Sequence, residues 1–149
     1  MRVRLLASAI VLSLAAALFG AVPAEAANPT LHFSKAYVNS PGSDTGTNYS
    51  LNGEYVVISN SSYTASYTLT GYTVSDRAGH VYRFRTFVLK PRASVTLHTG
   101  IGTNTSTHLY WGSRAYIWNN TGDTAYLKNS VGTLRDYCSW GTVSSYVYC

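Results

Sequence analysis

The side chains able to do chemistry are few, and their spacing is uninformative. The four histidines, His32, His80, His98 and His108, form no H-x-H or H-E-x-x-H pattern, so the sequence assigns no metal ligands and no cofactor. Ser, His and Asp are all present, but the G-x-S-x-G nucleophile elbow is absent. A triad drawn from distant positions is recognised only by geometry. The acids after residue 26 are Asp44, Glu54, Asp76, Asp123 and Asp136. A glycosidase needs two facing carboxylates, and these five are scattered. Asp76 and Asp123 sit in turn contexts, where an Asp side chain bonds nearby backbone. Glu54 stands where it would cap or orient the start of a strand. Gly100-Ile-Gly-Thr-Asn-Thr105 has half the glycines of a phosphate loop and no helix after it, so it reads as a flexible inter-strand loop. No residue is assigned a catalytic role.

Charge is distributed more suggestively. Arg77, Arg83, Arg85, Lys90 and Arg92 follow one another with no acid between them. Strand alternation puts Arg83 and Arg85 on one face and Tyr82 and Phe84 on the other. If the two aromatics pack inward, both arginines meet solvent as a basic stripe suited to a polyanion. The blander account is ordinary solubilising charge on an exposed sheet. Trp111 and Trp118 flank a crossover and read as core. Trp140, Tyr146 and Tyr148 are less constrained. In an extended tail the two tyrosines share a face, and an exposed aromatic strip is able to bind sugars or a partner strand.

The elements that position these groups begin after a leader. Arg2 and Arg4, the apolar run Leu5 to Phe19 and the Ala24-Glu25-Ala26 site read as a secretory signal peptide cleaved after Ala26. The apolar run is short for a membrane span, which needs about 20 residues. No stable membrane insertion is expected after cleavage. The expected product, 27–149, is a single domain. Removing Arg2, Arg4 and Glu25 leaves nine Lys+Arg and five Asp+Glu, a net charge of +4. All thirteen Tyr and all three Trp lie there, with abundant Ser and Thr, a composition of half-buried strands rather than helices. Cys138 and Cys149 make an even count in an exported chain and are expected to form a disulfide, stabilising by roughly 3 kcal/mol.

Hydrophobic periodicity is two, not 3.6. Strands are expected over Leu31–Val38, Glu54–Asn60, Tyr67–Leu69, Tyr72–Val74, His80–Phe84, Phe87–Leu89, Ser94–Thr99, Ala125–Leu127 and Gly132–Trp140. Gly71 sits where the alternation changes phase, which predicts a bulge or bend. Asp76-Arg-Ala-Gly79 and Asn119-Asn-Thr-Gly-Asp123 are turns. Pro41–Asn52 and Gly100–Thr107 read as polar loops. About eight short strands and no amphipathic helix indicate an all-β antiparallel sandwich or barrel.

Ordered segments carry a resemblance. Leu51-Asn-Gly-Glu-Tyr-Val-Val-Ile-Ser-Asn60, Leu69-Thr-Gly-Tyr-Thr-Val-Ser-Asp76 and His80-Val-Tyr-Arg-Phe84 come first. Phe87-Val-Leu-Lys-Pro91, Val95-Thr-Leu-His-Thr-Gly100, Tyr110-Trp-Gly112 and Ile117-Trp-Asn-Asn-Thr-Gly-Asp123 follow. Together the chain resembles the lamin-tail domain proteins, in particular small secreted actinobacterial ones. Tyr55 and Tyr72 stand where that family often has Trp, and Arg92 where Gly is common. The resemblance implies an immunoglobulin-like antiparallel β-sandwich and a non-enzymatic interaction module. The partner it leaves open: an unknown protein or an envelope polymer. The polyanion alternative names teichoic acid, extracellular DNA or an acidic glycan on the basic stripe. A small secreted hydrolase is the third reading. The expected location is extracellular.

Overall fold

Alternating burial builds the architecture. In β2 (Tyr55–Asn60) Val56, Ile58 and Asn60 are buried, while Tyr55, Val57 and Ser59 between them are half-buried. β7 (Ser94–His98) repeats the pattern with Val95 and Leu97 inward, as period-two strands with one core face must. The computed structural model describes residues 29–149. The expected leader, 1–26, lies outside the described residues.

The remaining elements in chain order are β1 (Leu31–Tyr37), a short helix α1 (Asn48–Asn52) before β2, then β3 (Tyr67–Thr68), β4 (Thr73–Ser75), β5 (Val81–Arg83) and β6 (Val88–Leu89). After β7 come β8 (His108–Tyr110), β9 (Asp123–Lys128), β10 (Leu134–Trp140) and β11 (Tyr146–Tyr148). One sheet has the order β11-β1-β2-β7-β8, and the other the order β10-β9-β4-β5. β3 and β6 form a separate two-stranded pair. Phe33, Ile58, Leu97, Val74, Phe84, Leu127 and Trp118 belong to a single buried cluster between the layers. The result is an immunoglobulin-like β-sandwich, as the sequence implies.

Three details depart from the expectation. Among the described residues there are eleven strands rather than about eight: β8 and β11, of three residues each, leave no measurable alternation, while β3 and β6 fall within the expected Tyr67–Leu69 and Phe87–Leu89. Pro41–Asn52 contains α1, N-capped by Thr47, whose hydroxyl accepts from Ser50 N. The β7–β8 pair is parallel, at the edge of an otherwise antiparallel sheet. Gly71 does bend the chain: at φ +82° it carries it from β3 into β4, and a Cβ there would lie 3.1 Å from Ser130 Cβ. Arg92, the one non-glycine residue at positive φ among those described (58°), explains why glycine suits that position. Its guanidinium lies 4.6 Å from the Tyr63 ring centre, a partial compensation.

Cys138 in β10 and Cys149 beyond β11 are bonded, with Cα atoms 5.4 Å apart. The bridge therefore links the two sheets, fastening β11 beside β1. Two tests follow. Reduction, or a Cys138→Ala/Cys149→Ala variant, should lower stability in a denaturant titration by about 3 kcal/mol. Arg92→Gly should be neutral or stabilising, whereas Arg92→Val, β-branched in the left-handed region, should cost more than about 1 kcal/mol.

Candidate functional site

Glu54 sits where α1 ends and β2 begins, and it is fully buried. Its Oε2 accepts from Thr99 Oγ1 at 2.6 Å and from Ile117 N at 3.0 Å, and its Oε1 from Trp118 N at 2.9 Å. It thus ties β2, the end of β7 and the crossover into β9, a far longer reach than capping its own strand. Burial pushes its carboxyl up to about 7, against the pull of those three donors; Asp44 adds a smaller upward push. Asp76, Asp123 and Asp136 also accept from backbone amides. Asp76 Oδ1 accepts from Gly79 N and His80 N, as expected of a turn former. Asp123 holds Arg77 N, Asn119 N and Thr124 N, so it spans two turns. Asp136 accepts from Phe33 N of the opposite sheet. These four carboxylates serve backbone amides; Asp76 and Asp123 line one open cavity, but every oxygen of that pair already has a hydrogen-bond partner.

The five-stranded sheet turns an aromatic row outward. Register pairs Tyr146 with Tyr37, Tyr37 with Tyr55, Tyr55 with His98, and His98 with Tyr110. Successive ring centres are 5.7, 5.3, 5.5 and 5.0 Å apart. Directly opposed residues on one sheet face are the closest neighbours a sheet offers. Lys35 Nζ lies 4.1 Å from the Tyr146 ring centre, with Tyr148 edge-on to Tyr146. His98 and His108 meet here, Nε2 to Nδ1 3.0 Å, while His98 Nδ1 is 2.9 Å from the Asn52 carbonyl. Burial lowers the His98 pKa, the Asn52 contact opposes this, and His108 adds to the lowering. No group of three or more His, Cys, Asp or Glu converges among the described residues.

The five cations, Arg77, Arg83, Arg85, Lys90 and Arg92, are all exposed. Tyr82 is half-buried and Phe84 buried, so the alternation places them inward as expected. The only ion-pair contact among the described residues is His80 with Asp76, at 2.6 Å. The structure gathers just two of the five: Arg83 and Arg85 line one open cleft of about 380 Å³ with Tyr82, Asn104, Tyr110 and Trp111. Arg77 lines a separate cavity beside Asp76 and Asp123. Trp118 and Trp140 are buried, and Trp118 is edge-on to both Trp111 and Trp140 at 5.8 Å. The loop after β7 is tied down rather than free. Asn48 Oδ1 accepts from Ile101 N, and the Asn48 and Asn52 amides donate to Ile101 O. A Cβ on Gly102 would fall 2.4 Å from the Tyr110 ring, so glycine here permits close approach.

The tyrosine row and the His98–His108 pair are the features that sequence reasoning missed. Their members are separated by long stretches of chain, and only strand register brings them together. The family model described as Lamin Tail Domain matches residues 24–142. No curated protein matches the chain.

Glu54 makes the fold sensitive to pH. With a folded pKa of about 7 against 4.5 unfolded, the native state holds a proton that the unfolded chain has released. Its contribution is fully present below pH 4.5 and is lost as pH rises to 7, by up to about 3 kcal/mol. His98, lowered in the fold, acts oppositely, losing its contribution as pH falls through the ordinary histidine range. Denaturant midpoints of wild type and Glu54→Gln, measured from pH 4.5 to 8, isolate the Glu54 contribution. Wild type should lose stability relative to the variant across that range; a constant difference would refute the assignment.

Proposed function

Because this chain belongs to the lamin tail domain family, we propose that it is an exported, non-enzymatic binding module of the cell envelope or extracellular space. The immunoglobulin-like fold is one whose family is typically non-catalytic. Export is supported by the leader pattern in residues 1–26 and by the Cys138–Cys149 bond, which suits an oxidising compartment. No helix among the described residues is long and apolar enough to cross a membrane.

The observation that carries the binding reading is the row Tyr146–Tyr37–Tyr55–His98–Tyr110. Tyrosine offers a large amphipathic contact area at low conformational cost. Here neighbouring rings already hold one another across five strands, so little further ordering is needed on association. The row is a continuous aromatic strip of half-buried and exposed rings, suited to an envelope polymer or a protein partner.

A second reading, polyanion binding, is favoured by the exposure of Arg77, Arg83, Arg85, Lys90 and Arg92 with no carboxylate paired to any of them. Teichoic acid, extracellular DNA or an acidic glycan would be the partner. The hydrolase reading draws no comparable support, since every acid but Asp44 is engaged by backbone amides.

Sedimentation of the 27–149 protein with envelope and secreted fractions of the producing cells tests the first reading. Wild type should be retained. A Tyr55→Ser/Tyr146→Ser variant that keeps its circular dichroism spectrum should lose retention by about tenfold or more. Undiminished retention in that folded variant would sink the assignment to the tyrosine face. Hydrolysis of wall, glycan or nucleic acid, abolished by changing one acid or histidine, would sink the non-enzymatic reading.

A further inference from the structure

The seam where β5, the edge of one sheet, approaches β8, the edge of the other, is a built cleft. Val81, Tyr82 and Arg83 come from β5, Arg85 from just beyond it, and Tyr110 and Trp111 from β8 and its continuation. A second cavity of about 240 Å³, lined by Phe84, Thr86, Phe87 and Thr105, joins the first through Tyr82, Arg85 and Asn104. The larger cavity, at about 380 Å³, falls in the range of small-ligand sites.

Its chemistry is specific. Arg83 Nη1 donates to the Gly71 carbonyl at 2.9 Å, which orients the guanidinium and leaves its other donors free. Asn104 Oδ1 accepts from Tyr110 N at 3.0 Å, which engages that oxygen and leaves the amide hydrogens of this cleft-lining residue as donors. Tyr82 and Trp111 form a tilted aromatic pair, ring centres 5.8 Å apart and planes at 50°, and Trp111 is braced from behind by buried Trp118. Two planar cationic forks, an amide donor and an aromatic wall thus converge on one cavity.

We propose that this cleft binds a carboxylated glycan. The sugar carboxylates pair with Arg83 and Arg85, a sugar face lies against Tyr82 and Trp111, and a hydroxyl accepts from Asn104. The proposal rests on the polyanion reading above; the cleft meets the tyrosine row only at Tyr110, and Tyr55 and Tyr146 do not line it. Guanidinium forks match carboxylates bidentately, a match that lysine lacks. The aromatic wall favours a ring over a polyol phosphate chain, which has no ring face to present. A nucleic acid is less well matched. Non-specific strands are held by several cations along the backbone, and here Arg77 lines another cavity while Arg92 is stacked on Tyr63.

The test is titration calorimetry of the disulfide-bonded 27–149 protein with galacturonate oligomers at physiological salt. Dextran, oligo-dT and a polyol phosphate serve as comparison ligands. Binding should be seen for the galacturonate oligomer and be weaker by about tenfold or more in Arg83→Gln/Arg85→Gln. The Arg83→Lys/Arg85→Lys protein, which keeps the charge but not the forks, should also bind more weakly, as should Trp111→Leu. All variants are compared at equal thermal stability. Absence of galacturonate binding, equal binding of any comparison ligand, or wild-type affinity in the Lys variant would overturn the proposal. Loss of binding in Tyr55→Ser/Tyr146→Ser instead would move the ligand to the tyrosine face. That outcome overturns the cleft assignment while leaving the binding-module reading in place.

Discussion

The buried carboxylate of Glu54 anchors the crossover between the two sheets. The stretch from Tyr110 to Asn120 has to leave the edge of one sheet, cross the end of the sandwich and enter β9 of the other. Trp111, Gly112 and Ser113 still donate to the backbone of His98, Gly100 and Thr99, but from Arg114 to Trp118 that pairing ends. Glu54 supplies acceptors for Ile117 N and Trp118 N, and Thr99 Oγ1 closes the arrangement from β7. Buried amides without partners are costly, so a crossover of this kind needs such an acceptor. With the backbone fixed, Trp118 fills the core end and Trp111 is set against Tyr82. Trp111 is held by its own amide on the His98 carbonyl, and Trp118, placed by Glu54, packs edge-on against it.

The same use of carboxylates shapes the electrostatics. Glu54, Asp76, Asp123 and Asp136 all receive backbone N–H groups, in turns, at the crossover and between the sheets. In a chain this poor in acids, these four carboxylates are placed to receive backbone amides rather than beside the arginines, which have no ion-pair partner among the described residues. The unpaired cations follow from how the fold satisfies its amides, and the positive surface is built into its internal hydrogen bonding.

The sequence was most legible where the signal was local. β2, β7, β9 and β10 alternate clearly, the Asp76 turn was recognisable, and Gly71 marked a real bend. Tyr82 and Phe84 inward with Arg83 outward also followed from alternation alone. The three-residue pieces β8 and β11 carry no period of their own and have no counterpart among the expected strands, whereas β3 and β6 fall within the alternating Tyr67–Leu69 and Phe87–Leu89. Glu54 was read as a local cap because nothing in its neighbourhood announces Ile117 and Trp118 as partners. The tyrosine row was invisible for a related reason: positions 37, 55, 98, 110 and 146 become neighbours only through register. Likewise Arg83 and Arg85 could be placed on a surface, but Asn104 and Trp111 join them only once two sheet edges meet.

The bond from Cys138 to Cys149 also determines what kind of border the larger sheet has. β11 is three residues long and covers the outer side of β1 through Lys35, Ala36 and Tyr37. A strand so short holds its place weakly by itself. Released from β10, it would leave the amides and carbonyls of β1 as an open edge, ready to accept a strand from another molecule. The bridge therefore acts as a guard on solitude: in its oxidised form the sandwich ends in a covered border, and in its reduced form it would expose a template for self-association.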